Sequence, residues 1–295
     1  MTIAIIDNGS LEPAAHLNLR ALAQALTIRA GVTVHAVSWK HSDRIAPTEL
    51  HHRPAWTLAP FVRARLARGE REFVFIPFFV SAQGAIGSAL RNDLERLQRE
   101  AGGFKFTFTE GLAARGAIAG IVAERVRAVL TARRLRMPPV IVVDHGGPSA
   151  TSATLRNLLA SQIRTELGAT IGPLAPASLE GAEYSHNHPL LAEQLAAAGF
   201  DHGHVVIAPL FLAPGRHAGP HGDLVQIARA AEDRTTCALH CHFTELIGTH
   251  PRVIDILAAA LRDCLATHKA ARAAENASPA TTHDSHLQLS AENFA

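Results

Sequence analysis

Cysteine is scarce in this chain, with Cys237, Cys241 and Cys264 the only three among 295 residues. Three thiols cannot build a disulfide framework, so the sequence suits a reducing compartment. No run of about 18 apolar residues occurs, which excludes a membrane-spanning helix. The opening MTIAIIDNGS has neither a basic segment nor a long apolar stretch, so no secretory leader is expected and the expected location is cytoplasmic. An excess of one charge is missing too. Lys and Arg number 28 against 26 Asp and Glu, a formal charge of +2. That gives no electrostatic reason to expect nucleic acid or an anionic membrane as partner. The nucleotide loops GxGxxG and GxxxxGK[ST] and the hydrolase elbow GxSxG are also lacking.

What the chain does have is an ordinary core-forming composition, 47% hydrophobic, and 18 histidines. Histidine is the commonest metal ligand, although most histidines are merely solvated. Short apolar runs alternate with longer amphipathic stretches. In the first half, strands are expected at TIAIID, VTVHAVSW, FVFIPFFV and FKFTFTE, with helices near 13–28, 55–68, 88–100 and 118–134. The second half repeats the order with strands in VIVVDHGG, ATIGPLAPASLE, HVVIAPLFLAPG and CALHCHF, and helices at 152–167, 190–199 and 251–268. Strands separated by helices imply βαβ units, and near-continuous apolar runs imply parallel strands covered on both faces. The expected fold is α/β, with two similar domains, each a parallel four-stranded sheet flanked by helices, and a cleft between them. Pro138 and Pro139 place the boundary, giving domains over 1–135 and 136–269. Residues 270–295 lose the periodicity and read as a disordered tail, with His283 and His286 in it.

Ligands of open parallel sheets bind beyond the carboxyl ends of strands. In the second half those ends carry His145, Glu180 and His217, a set suited to a borderline divalent ion. In the first half the same places hold Asn8, Lys40 and either Ala85 or Ile86. An ammonium offers no lone pair and repels a cation, so one copy reads as live and the other as silent. Gly146-Gly147 permits a tight turn, or could cradle a phosphate at a helix start. In CALHCHF, strand alternation sets His240 and His242 on the face opposite Cys237 and Cys241, a pattern read as structural. His186 and His188 in SHNHP read as a polar loop near the cleft mouth.

The succession VVDHGG, ASLE and PLFLAPGRH resembles the class II tetrapyrrole chelatases in their long, internally duplicated form. These include the sirohydrochlorin cobaltochelatases and ferrochelatases. The resemblance implies two domains facing each other across a cleft that holds a flat macrocycle. It implies metal ligation and catalysis by His145, His217 and Glu180, and a substrate site lined by Gly146, Leu212, Ala213, Pro214, Gly215 and Arg216. The implied activity is that of a lyase inserting a divalent metal into sirohydrochlorin. Co2+ is the first choice, with Fe2+ or Ni2+ next, and the pathway would be cobalamin or sirohaem synthesis. The metal is then a substrate, no organic cofactor is expected, and the chain is expected as a monomer, with a dimer as the alternative. The family has an aspartate four residues after its second histidine. Here His221 stands at that place, and a two-residue insertion brings Asp223 into line. His221 is therefore an alternative ligand, and Arg156 and Arg216 are candidate partners for substrate carboxylates. The competing readings are a non-enzymatic carrier of metal or tetrapyrrole, and an unrelated enzyme binding a phosphorylated ligand at Gly146-Gly147.

Overall fold

A computed structural model describes residues 1–80, 85–234 and 238–277. The first half runs β1 (Thr2–Asp7), α1 (Pro13–Ala30), β2 (Val34–Ser38), α2 (Leu58–Leu66), β3 (Glu72–Pro77), α3 (Ala85–Glu100), β4 (Lys105–Phe108) and α4 (Ile118–Arg133). The second runs β5 (Val140–Asp144), α5 (Ala150–Leu167), β6 (Leu174–Ser178), α6 (Leu191–Gln194), β7 (Gly203–Pro209), α7 (Asp223–Arg234), β8 (Leu239–Phe243) and α8 (Arg252–Ala277). Each half forms a four-stranded sheet, in the orders β2-β1-β3-β4 and β6-β5-β7-β8. Every pairing is parallel. The fold is thus α/β with two parallel sheets flanked by helices.

The central strands are apolar on both faces because both are covered. Ile3, Ile5, Val74 and Ile76 face one core cluster, and Ala4, Ile6, Phe73 and Phe75 face another. In the second sheet Val140, Val142, Val206 and Ala208 join the first of these clusters, while Ile141, Val143, Val205 and Ile207 form a third. One core therefore runs between the two sheets, and four helices fill it. α1 and α5 follow the first strand of their own halves, but the last helices cross over. α4 lies along α5 and against β7 of the second sheet. α8 lies along α1, and its Arg272 pairs with Glu72 of β3 in the first sheet. Arg29 of α1 also meets Asp255 of α8 at 2.5 Å. The change of sheet falls between α4 and β5, yet each sheet is roofed partly by the other half's last helix.

Two expected elements differ. The helix expected at 190–199 is a single turn ending at Gln194, followed by tighter turns from Ala196 to Glu193, Ala197 to Gln194 and Phe200 to Ala197. Gly199 breaks the helical backbone at φ +85°, which leaves a segment too short to offset the cost of helix nucleation. Conversely, α8 continues to Ala277, eight residues past 269. Alanines favour helix, and the Arg272–Glu72 contact ties the extension to the first sheet. His283, His286 and Cys237 lie outside the described residues. No described helix is long and apolar enough to cross a membrane.

Candidate functional site

The strand order puts a reversal of direction beside β5, whose neighbours are β6 on one side and β7 on the other. At such a switch point the loops leave in opposite directions and open a crevice. His145 follows β5, Glu180 follows β6, and His217 lies in the loop after β7. Their side chains converge there. His145 Nε2 is 3.2 Å from His217 Nε2, and His145 Nδ1 is 3.5 Å from a Glu180 oxygen. Among the described residues, these three alone present ligand atoms all within 4.8 Å of one another. Two nitrogens bound tetrahedrally at about 2.05 Å would be about 3.3 Å apart, close to the separation seen. His145 and Glu180 are exposed and His217 is half-buried, so one side of the group opens to solvent.

The turns that carry the group brace one another. Gly146 has φ +82°, and a Cβ there would meet the Glu180 carbonyl oxygen at 2.1 Å. The Glu180 N–H donates to the His145 carbonyl at 3.1 Å. The Gly147 carbonyl accepts from His186 Nε2 at 2.9 Å and from the Asn187 amide at 3.1 Å. His186 thus supports the turn from behind, and His188 bonds Glu193 at 2.9 Å instead of facing the group.

Below the turn, the Asp144 carboxylate accepts from the Ser178 hydroxyl at 2.7 Å and lies 3.5 Å from Arg156. Burial pushes the Asp144 carboxyl above its usual range, against the pull of Ser178 and Arg156. Arg156 itself is buried, donating to Ser178 and to the His186 carbonyl. The expectation that Arg156 meets substrate carboxylates at a rim is therefore corrected: its charge is spent under the sheet end on Asp144. Sequence alone could not show this, because arginines are usually solvated.

The loop after β7 folds back on itself. Gly219 N–H donates to Gly215 O, and Leu224 N–H to His217 O at 3.1 Å. A Cβ on Gly222 would lie 2.5 Å from the His217 carbonyl, so this approach needs glycine. The fold-back delivers Asp223, at the start of α7, to His217: Nδ1 and the carboxylate are 2.7 Å apart. Nδ1–H donates there, which leaves the Nε2 lone pair facing His145. The displaced aspartate is therefore the group that orients His217, across six residues instead of the spacing of four. His221 is exposed and stands outside the converging set. Leu212, Ala213, Pro214 and Gly215 are half-buried along the approach, while the Arg216 side chain is 85% exposed and 3.8 Å from Asp223.

The first half repeats the scaffold without the ligands. Asp7 pairs with Ser38 as Asp144 pairs with Ser178. Lys40 N–H donates to Asn8 O at 3.2 Å, the counterpart of Glu180 to His145. Lys40 therefore occupies the place of Glu180. Its ammonium sits 3.9 Å over the Trp39 ring and 4.0 Å from Asp93. Ala85 and Ile86 open α3.

A model of the CbiX family matches residues 139–264, which span all three converging side chains. The second half is thus similar in sequence to the CbiX family. The whole chain also shares its fold with two solved structures. SirB from Bacillus subtilis, solved with Fe3+, aligns at a TM-score of 0.63 and 12% identity over 92% of this chain and 98% of that one. The sirohydrochlorin chelatase SirB from Bacillus subtilis subspecies spizizenii, in complex with cobalt, aligns at 0.61 and 12% over 89% and 95%. No curated protein matches significantly in sequence. The class II chelatase resemblance of the motifs thus rests on a family-model match over residues 139–264 and on a shared fold across both halves.

Proposed function

We propose that this chain is a chelatase that inserts a divalent metal into sirohydrochlorin. The observation that carries the proposal is the convergence of His145, His217 and Glu180 at the switch point of the second sheet. Two imidazoles and a carboxylate suit a borderline divalent ion, and the chelatase resemblance makes Co2+ the first choice, with Fe2+ or Ni2+ next. The two structural relatives were solved with Fe3+ and with cobalt, so the choice of cobalt, and with it cobalamin synthesis ahead of sirohaem, rests on the family resemblance of the motifs.

Insertion exchanges one divalent ion for two pyrrole N–H protons. His145 and His217 would hold the incoming ion by their facing Nε2 atoms while its open side turns to the macrocycle. Asp223 would keep the His217 lone pair aimed at the ion. Glu180 would balance its charge and accept one departing proton, and an imidazole that has released the ion would accept the other; a well-placed base typically contributes about 10²–10⁴-fold. Gly146 and the segment Leu212 to Arg216 would line the ring's approach, with the exposed Arg216 free to meet a substrate carboxylate. In the first half, Lys40 presents a cation where the second half collects one, so that copy serves as the opposite wall. We read the protein as cytoplasmic and monomeric, since a fused pair needs no partner to make two walls.

The test is direct. Purified protein, sirohydrochlorin and Co2+ or Fe2+ are mixed and the absorption spectrum followed. A spectral shift at an enzyme-dependent rate is expected, and it should fall at least 100-fold in His145→Ala. An unchanged rate in that variant refutes the role given to His145. Tight binding of metal and tetrapyrrole without turnover would establish a carrier instead.

A further inference from the structure

Strand alternation sets His240 and His242 on one face of β8. The β7–β8 register pairs His204 with His240 and Val206 with His242. His204 therefore stands directly beside one of these rings and diagonal to the other, on the same face. The three rings gather into a cluster. His204 Nδ1 and His242 Nε2 are 3.0 Å apart, and the ring centroids lie 5.1 Å (His204–His242) and 5.2 Å (His204–His240) from each other. Two nitrogens on one ion at about 2.1 Å and a right angle would be about 3.0 Å apart. His204 and His240 are exposed and His242 is half-buried, so an ion has access.

The geometry points to a second site for a divalent transition metal, held by His204 and His242 and completed by rotation of the His240 side chain. It is separate from the group at His145. β7 runs from Gly203 to Pro209, and His217 lies beyond its far end, so the two sites are at least about 16 Å apart along the strand. Imidazole donors without thiolate select Ni2+, Cu2+, Zn2+ or Co2+ over Mg2+ or Ca2+. An ion there would also clamp the edge strand β8 to β7.

The site stands or falls independently of metal insertion. Equilibrium dialysis of the full chain against Ni2+ would compare wild type, His145→Ala/His217→Ala and His204→Ala/His242→Ala. The active-group variant should retain a bound ion, and the β7–β8 variant should bind one ion fewer than wild type while keeping its insertion rate within twofold. Equal stoichiometry and affinity in wild type and His204→Ala/His242→Ala would overturn the site and leave the pair sharing a proton only. A second measurement leaves the strands intact. Cu2+ bound to His145→Ala/His217→Ala should show electron paramagnetic coupling to two or more imidazole nitrogens, weakened in His240→Ala. A spectrum identical in both proteins would equally refute it.

Discussion

Removing the Asp223 carboxylate isolates what that group does. Its oxygen is 2.7 Å from His217 Nδ1, a charge-assisted distance, and no other acceptor is described for that nitrogen. Arg216 lies 3.8 Å away on a largely exposed side chain and adds little. In Asp223→Ala the imidazole loses its orienting acceptor, and the ring is free to turn or to present N–H in place of the Nε2 lone pair. Loss of such an outer partner typically lowers metal affinity or activity 10–100-fold, or about 1.4–2.7 kcal/mol. Asp223→Asn keeps an acceptor oxygen without its charge and should lose less. The aspartate also starts α7, where a negative charge contributes about 0.3–1 kcal/mol to the helix. Urea unfolding should therefore show only that small change. The assay pairs Co2+ affinity, from competition with a chelating dye, with initial insertion rates. Both should fall, in the order Ala below Asn below wild type. An Asp223→Ala protein within twofold of wild type in affinity and rate would refute the orienting role.

Arg156→Ala should destabilise the fold by about 3 kcal/mol at pH 7, since it strips the half-buried Asp144 of its buried cation. The loss should shrink in acid, where Asp144 takes up a proton, and urea midpoints at pH 7 and through a falling pH series would read both effects. Gly146→Ala should cost at least about 2 kcal/mol, or about 4–8 °C in Tm for a chain of this size, because the new Cβ meets the Glu180 carbonyl at a left-handed φ; a calorimetric Tm equal to wild type would contradict that crowding. In the silent half, burial lifts Asp7 to about 6 with no arginine to oppose it, while burial and Arg20 lower His16 to about 4. An acid raised on folding costs stability as pH climbs from about 4 to 6, here about 3 kcal/mol, whereas a base lowered on folding costs stability as pH falls from about 6.5 to 4. The two slopes oppose each other in wild type. Asp7→Asn should therefore gain stability above pH 6, gain nothing near pH 4 and decline more steeply toward acid; a constant difference from wild type across that range would refute the shift at Asp7.

Much of this was legible in the sequence because it is written in short-range pattern. Apolar runs ending in DHGG and DNGS mark strand ends, and comparing the halves places Glu180 against Lys40, which the paired Asp–Ser registers bear out. What depends on register or on folded loops was hidden. His240 and His242 look parted from any partner until β7 is laid beside β8 and His204 comes level. Asp223 looks displaced by two residues until the glycines at 219 and 222 fold the loop back. Arg156 looks like surface because helix position alone does not say how far its guanidinium reaches under a neighbouring strand. The long α8 was missed because its last turns are held by a contact to the other half, which no local signal announces.

The crossing of α4 and α8 has a consequence for how such a chain came to be. A polypeptide ending near residue 135 would expose the face of α4 that covers β7 and would leave the face of its own sheet beneath α8 bare. Two such polypeptides could cure each other by exchanging their last helices, the arrangement of a domain-swapped dimer. In the present chain that exchange is built into one gene product, and the linker at 134–139 makes it a unimolecular event. Within one chain the exchange of helices needs no encounter of two molecules, and the two halves need not be alike.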